Sequence, residues 1–500
     1  MKKIFILLSA ALMLASCAKF TDLKPKGMNM LSTADELELL LNVEYRDNLN
    51  TCFDLYQLPG DVYPAPTGRI ANLISEPTPS RYGILATWNS DNVKKLAELT
   101  NSDLDYTTLF GYIGKVANPV LASVSFATGD ETKIKQIKAE ALCLRAWAQF
   151  ILVNKYAAAY NPATAATTPG IPYLMEDWDI SIPPEKWTVK AVYDQIVADC
   201  NEAIALDALP EKNINQMRWN KACPYAIKAL ALMSMQQFDE AEVAAKASLA
   251  VNGAVTDYWS PAFTMQRGMY MPPFSPVEYV NRLPLVCEED LFHTYVELNF
   301  TLLRTPEADA KLEAGHSALV RMPEGWKFFG NPAMGMGMSM AGLAYPDVGG
   351  MGSAGGASWN TYGLKTTHQY LIAAECAIRN NKIDDAMGYL DAIRAKRIDP
   401  SLYAALKGTV TTKEDAIAHL KQTTLGENIY SVYHFIECKR WTQLDDMKET
   451  YTRSFNVTTA DGPETFTFNL PPDSPLWIFP FPANAVDNNP NLKQNSYVEE

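Results

Sequence analysis

The sequence predicts an all-α protein: a tetratricopeptide-like helical repeat scaffold with a long loop-rich insertion and an irregular proline-rich C-terminal wrap. Three observations carry this. Several segments place apolar residues at three- and four-residue steps, the spacing that gives a helix one apolar face. The stretch YAIKALALMSMQQFDEA, Tyr225–Ala241, recurs as YLIAAECAIRNNKIDDA, Tyr370–Ala386, with Tyr, Ile, Ala, Asp and Ala at matching positions. Residues 252–363 and 446–500 lose the helical period and are dense in Pro, Gly and aromatic residues.

Taken in order, Lys2 and Lys3 precede an apolar run, Ile4–Ala15, with the layout of a secretory signal. That run is too short to span a bilayer, which takes about 20 residues. Leu14-Ala15-Ser16-Cys17 resembles the bacterial lipobox, so residues 1–16 are expected to be removed and Cys17 to be acylated, with 17–31 as a polar linker. A single domain then occupies 32–500, with helical repeats over 32–251 and 364–445. Thr33 and Glu36 have the spacing of a capping box. From Asn50 to Asn92, Pro59, Gly60, Pro64, Pro66, Gly68, Pro77 and Pro79 read as loop, and helical pattern resumes near Tyr106. Asp130 is the expected cap of Glu131–Tyr156, where Ile134, Ile137, Ala141, Leu144, Ala148 and Ile151 make an apolar face. Thr188 opens another helix, with Val192, Ile196, Cys200 and Ala203 inside and Asp194, Asp199 and Glu202 toward solvent. In each repeat copy, small residues on the first helix let its partner approach, and a polar turn leads to a second helix starting at an Asp-acidic-Ala triplet. Stacked pairs of this kind complete one another's core. TTKEDAIAHLKQTT and ENIYSVYHFIECKRWTQL are the last expected helices.

Composition excludes several functions. A formal net charge of −14 argues against nucleic acid as a partner. With Cys17 set aside, seven cysteines remain, an odd number without any CxxC, and Cys143, Cys200, Cys223, Cys376 and Cys438 all fall in helical patterns. They read as small buried hydrophobes, with no metal or redox role. Gly350–Gly355 matches GxGxxG, but turn chemistry precedes it and SWNTYG follows, so it lacks the strand and helix that a nucleotide fingerprint needs. Met334, Met336, Met338 and Met340 alternate in a loop that reads as an adaptable contact surface. The five histidines show no zinc or hydrolase spacing; His434 and Glu437 share a helix face and read as a hydrogen-bonded pair. Asn101-Asp103-Asp105 begins like a calcium loop but lacks its Gly and Glu. No cofactor, metal or catalytic constellation is expected.

Aromatics outside the helices carry the positive signal: Tyr56, Tyr63, Tyr82 and Trp88 in the N-terminal loop region, then Trp259, Tyr270, Tyr295, Trp326, Phe328 and Trp359 in the insertion. Aromatic planes suit the apolar C–H faces of sugar rings, while Asp, Asn and Arg satisfy hydroxyls.

Several segments together resemble one family, the RagB/SusD-like outer-membrane nutrient-binding lipoproteins. They are the lipobox followed by FTDLKPKG, KAEALCLRAWAQFILVNKYA with GIPYL and TVKAVYDQIVADCNEAI, QYLIAAECAIRNNKIDDAMGYLDAIRAKR, ECKRWTQL, and the closing FPFPANAVDNNPNLKQN. Departures are Phe481 where Ile is usual, Val486 where an acid is common, and the ending NSYVEE. The resemblance implies a lipid-anchored, surface-facing binding protein of the outer membrane. Such a protein is not an enzyme; it captures glycans and serves as the lid of a SusC-like TonB-dependent transporter. It implies ligand contacts at Asp61, Arg69, Trp88 and Asn92, with Trp259, Tyr270, Trp326 and Trp359 from the insertion. The alternatives are a peptide receptor in the same kind of system and, from another class, a surface glycosidase.

Overall fold

The computed structural model describes residues 31–42, 55, 58–64, 74, 79–260 except 180 and 216, 288–296, 302–317, 351–352, and 359–495 except 430, 460 and 461. Cys17, the linker up to residue 30, Arg69, Tyr270, Trp326 and the methionine run 334–340 lie outside these residues, as does the side chain of Trp359.

Helix α1 (Ala34–Leu41) starts with the expected capping box: Thr33 Oγ1 accepts from Glu36 N at 3.2 Å and Glu36 Oε2 accepts from Thr33 N at 3.0 Å. Strand β1 (Val62–Pro64) follows. The region read as loop up to Asn92 contains α2 (Arg81–Ala86) and a 3-10 turn, Ser90–Asn92; α3 (Val93–Leu99) follows directly. These helices are too short to display a repeating pattern. Helix α4 (Leu104–Tyr112) runs through a π-helical turn, Ile113–Ala117, into α5 (Asn118–Ser123).

The central element is α6 (Glu131–Tyr156), capped by Asp130 as expected, with Lys133 N at 2.8 Å. It was expected to be amphipathic, yet nearly every residue from Ile137 to Tyr156 is buried, because α1, α4, α5, α7 (Val189–Leu206) and α8 (Cys223–Ser234) all pack on it. A helix buried on all sides must neutralise its own polar residues. Arg145 donates to Asp199 through Nε at 2.7 Å and Nη2 at 2.9 Å, so Asp199 is no solvent residue but the buried anion that α6 requires. Tyr173 O–H adds a third bond to that carboxylate at 2.7 Å. Likewise Arg218 pairs with Glu140, and Lys155 meets Asp103 at 2.8 Å and Asp105 at 2.6 Å. An ammonium therefore stands where the calcium-like sequence would have placed a cation.

Helix α8 pairs with α9 (Phe238–Val251), making the first repeat copy. The insertion next contributes β2 (Asp290–Phe292), β3 (Tyr295–Val296), β4 (Leu302–Arg304), α10 (Pro306–Lys311), β5 (Met351–Gly352), β6 (Trp359–Asn360) and β7 (Leu364–Lys365). All pairings are antiparallel: β2 with β7, β3 with β6, and a three-stranded sheet in the order β1-β4-β5. The second copy is α11 (Thr366–Arg379) with α12 (Ile383–Arg397). The matched turn residues Gln236 and Asn381 both take left-handed backbone, φ 61° and 55°, so the two turns share geometry as well as sequence. Helix α9 packs on α11 and joins the copies into one stack.

Helix α13 (Lys413–Asn428) and α14 (Val432–Trp441) replace the two expected segments with a different boundary. ENIYSVYHF is not continuous helix, because Ser431 turns extended and its Oγ accepts from Tyr433 N to cap α14. The tail is also not wholly irregular: β8 (Tyr451–Thr459) and β9 (Gly462–Leu470), nine residues each, form an antiparallel hairpin. Its alternation, TRSFNVTT and PETFTFNL, is a period-two pattern that the proline count obscured. Beyond it the tail does wrap. Phe479 N donates to Lys155 O, Ala483 N to Thr100 O at the start of α15 (Ala483–Asn488), and Asn495 Nδ2 to Tyr156 O. Phe481 stacks on Tyr156 with centroids 5.4 Å apart, a use for the aromatic ring at that position.

The ECKRW segment holds these layers together. Lys439 Nζ donates to Asn154 O and Ala157 O at 2.6 Å each, satisfying carbonyls at the end of α6. Arg440 forks onto Glu375 of α11, and Trp441 Nε1 reaches the same carboxylate at 3.3 Å.

Candidate ligand cavity

A solvent-open cavity of about 450 Å³ lies among α10, α13, α14 and the start of β8, with Asp61 at its edge. That is within the roughly 300–1,000 Å³ of small-ligand pockets. The sheet explains how residues so far apart in sequence meet: β1 and β4 pair, Thr305 N donates to Asp61 O at 3.0 Å, and α10 starts at the next residue. Lys311 therefore ends α10 close to Asp61. Gln422 of α13 donates through Nε2 to Lys311 O at 2.9 Å, joining the third side.

His434 Nε2 donates to Asp61 Oδ2 at 2.6 Å, Lys311 Nζ lies 3.4 Å from Asp61 Oδ1, and Cys438 Sγ lies 3.8 Å from His434 Nδ1. Burial pushes the Asp61 carboxyl up, but the Lys311 ammonium and the His434 bond outweigh it and hold the group well below the usual carboxylate range. Burial opposes the imidazolium, but the Cys438 sulfur and the Asp61 carboxylate raise His434 to about 10. On the other wall Lys421 donates to Glu449 at 2.7 Å and to Met447 O at 2.6 Å. The ammonium of Lys311 stands 5.6 Å from the Tyr451 ring centroid and that of Lys421 5.7 Å from the Trp441 centroid. The lining thus offers edges of largely buried aromatic rings, Trp441 at 4% and Tyr451 at 5% exposure, carboxylates on Asp61 and Glu449 that already hold His434, Lys311 and Lys421, and donors on Lys311 and Gln422. This suits a polar ligand with an apolar face.

Of the residues expected at the site, Asp61 lines this cavity. Trp88 is near it but closed: the side chain is 4% exposed, and Arg453 Cζ sits 4.7 Å from its ring. A Cβ on Gly60, where φ is +96°, would come within 2.2 Å of the same indole. Expected as a stacking platform, Trp88 is instead packing beneath the Asp61 loop, with Arg453 of β8 fixed above it by Ala86 O at 2.9 Å. Asn92 is half-buried where the 3-10 turn meets α3. Trp259 is half-buried elsewhere, its Nε1 donating to Arg397 O at 2.8 Å. Lys311, His419, Lys421, Gln422, Glu449 and Tyr451 were not foreseen, and no local pattern marks them.

Two family models match the chain: residues 71–231 fit one described as starch-binding associating with outer membrane, and 344–497 fit the SusD family model. Together they span more than half of the sequence. The chain belongs to the SusD/RagB family. Solved SusD-type structures share its fold. A putative sugar binding protein from Bacteroides vulgatus aligns with TM-score 0.64 and 16% identity over 94% of this chain and 99% of its own. A SusD-like carbohydrate binding protein from the same organism gives 0.58 and 16% over 92% and 97%. A SusD superfamily protein from Bacteroides thetaiotaomicron gives 0.58 and 17% over 93% and 99%. Among the curated proteins none matches. Both matched regions of this SusD-family chain contribute to the buried core, and the second contains α13, α14 and β8, three of the cavity's walls.

Proposed function

We propose that this SusD-family protein captures oligosaccharides at the outer membrane and delivers them to a SusC-like TonB-dependent transporter, for which it acts as the lid. The observation that carries the reading is the cavity. Its volume suits one or two sugar rings, it has carboxylates on Asp61 and Glu449 and donors on Lys311 and Gln422, and Trp441 and Tyr451 supply apolar ring edges. Three strands pair beside it: β1 precedes Arg69 in sequence, β4 leads into α10, and β5 precedes Trp359 in sequence. Arg69, Tyr270, Trp326 and Trp359, with Asn92, are proposed to extend the contact beyond the cavity. Cys17 is the proposed lipid attachment, and 17–31 the tether that lets a lid move. No helix among the described residues is long and apolar enough to cross a membrane. The reading assigns binding without turnover.

The test is a screen of the purified chain by affinity electrophoresis against immobilised polysaccharides, with a peptide mixture in parallel. Retention by at least one polysaccharide without hydrolysis is expected. Retention of peptides alone would move the reading to a peptide receptor, and release of reducing ends would move it to a glycosidase.

A further inference from the structure

Of the five cysteines among the described residues, four sit in helix packing. Burial pushes the thiols of Cys143 and Cys200 far up and those of Cys223 and Cys376 up to about 12, which makes them inert. Cys438 differs in its surroundings. It too is buried, 1% exposed, but it lines the cavity, and its sulfur faces His434 Nδ1 at 3.8 Å from one helical turn away. The opposite nitrogen of the same imidazole is fixed at 2.6 Å by Asp61, which lies 373 residues earlier. Cysteine, imidazole and carboxylate are therefore in line, with the ring orientation set by the acid. This is the arrangement that activates sulfur nucleophiles.

The remaining charged and titratable groups around the sulfur come from each wall. Lys311 from α10 and Tyr451 from β8 face it and interact with it. Glu449 is taken up by Lys421 of α13, and Asp61 by His434 and Lys311. His419 of α13 completes the lining. Both carboxylates are thus engaged, leaving an imidazole and an ammonium beside the thiol.

We propose that Cys438 is a reactive thiol, paired as thiolate with the His434 imidazolium and reached, through the cavity whose wall it forms, by small soft electrophiles and low-molecular-weight disulfides. With a disulfide, Cys438 Sγ attacks one sulfur and forms a mixed disulfide. The old S–S bond breaks, and the departing thiolate takes its proton from His434 Nδ1. The incoming disulfide is the oxidant, so the exchange balances. This inference goes beyond carbohydrate capture and does not depend on it.

The experiment is alkylation of the folded full chain with iodoacetamide from pH 5 to 10, with each cysteine followed by peptide mass mapping. Cys438 is expected to label at least tenfold faster at pH 7 than Cys143, Cys200, Cys223 and Cys376, with an inflection below the ordinary thiol value of about 8.5. His434→Gln, and independently Asp61→Asn, should slow Cys438 labelling at pH 7 by about tenfold and move the inflection upward, with circular dichroism confirming the fold. If either variant fails to fold, the wild-type pH profile still decides. The proposal is overturned if Cys438 labels only on unfolding, if its inflection lies at or above about 8.5, or if folded His434→Gln leaves the profile unchanged.

Discussion

Replacing Asp61 with Asn tests the electrostatics of the cavity most sharply, because it keeps the shape and removes one charge. Asp61 and His434 are both buried and 2.6 Å apart, so this hydrogen bond joins two ions, a class worth about 1.5–3 kcal/mol. The pH dependence follows from the two shifts. Asp61 is held below its unfolded value, so its contribution is present above about pH 4 and fades as pH falls through the folded value. His434 is raised from its ordinary value to about 10, so its contribution is complete below about pH 6.5 and disappears as pH rises through 10. Asp61→Asn should therefore cost about 1.5–3 kcal/mol in urea unfolding at pH 6 and distinctly less at pH 10, where half of the imidazolium has gone. An equal cost at both pH values would refute the ion pair, and no cost at pH 6 would show that Asp61 is not held by His434 at all.

Three further outcomes are expected. Asp199→Ala removes the bidentate partner of the buried Arg145 guanidinium, leaving it Glu176 and Asn118, and also orphans the Tyr173 hydroxyl, so it should cost about 3–5 kcal/mol; the double change Arg145→Met with Asp199→Leu should recover part of that loss. With an unfolding entropy of about 1 kcal/mol/K for a chain this long, the single variant should lower Tm by about 4 °C in calorimetry. Gly60→Ala must place a methyl at φ +96° against the Trp88 ring, so a loss of about 1–3 kcal/mol and a change in tryptophan fluorescence are expected. Cys17→Ser should abolish incorporation of labelled fatty acid and release the protein from the membrane fraction; continued labelling would remove the anchor assignment.

The scaffold was legible because its signals are local. Caps at Thr33, Asp130 and Thr188 lie within three residues of the amides they bind, and the repeat copies match down to the left-handed turn at Gln236 and Asn381. What the sequence concealed depends on contacts between distant segments. Asp199 reads as a surface residue from its helix alone, and only the full burial of α6 turns it into the partner of Arg145. Trp88 reads as an exposed loop aromatic until the hairpin lays Arg453 across it. Asp61 was marked as a candidate from family resemblance and stands at the edge of the cavity, but its partners were not marked. His434 was matched with Glu437 three residues away, while the carboxylate that it binds stands at the far end of the chain, brought over by the pairing of β1 with β4. The basic-aromatic end of ECKRW proves to be internal fastening, with Lys439 on α6 and Arg440 on α11.

The central claim is that the cavity beside Asp61 holds sugar. Lys311 and Gln422 reach it from the surface of α10 and α13, and neither belongs to the buried core, so both can be changed without unfolding the chain. The decisive measurement is isothermal titration of an oligosaccharide from the retained polysaccharide into the wild-type chain and into Lys311→Ala with Gln422→Ala. The account predicts a loss of at least about tenfold in affinity for the double variant, the equivalent of about 1.4 kcal/mol. Unchanged affinity would place the sugar elsewhere on the protein and contradict the account.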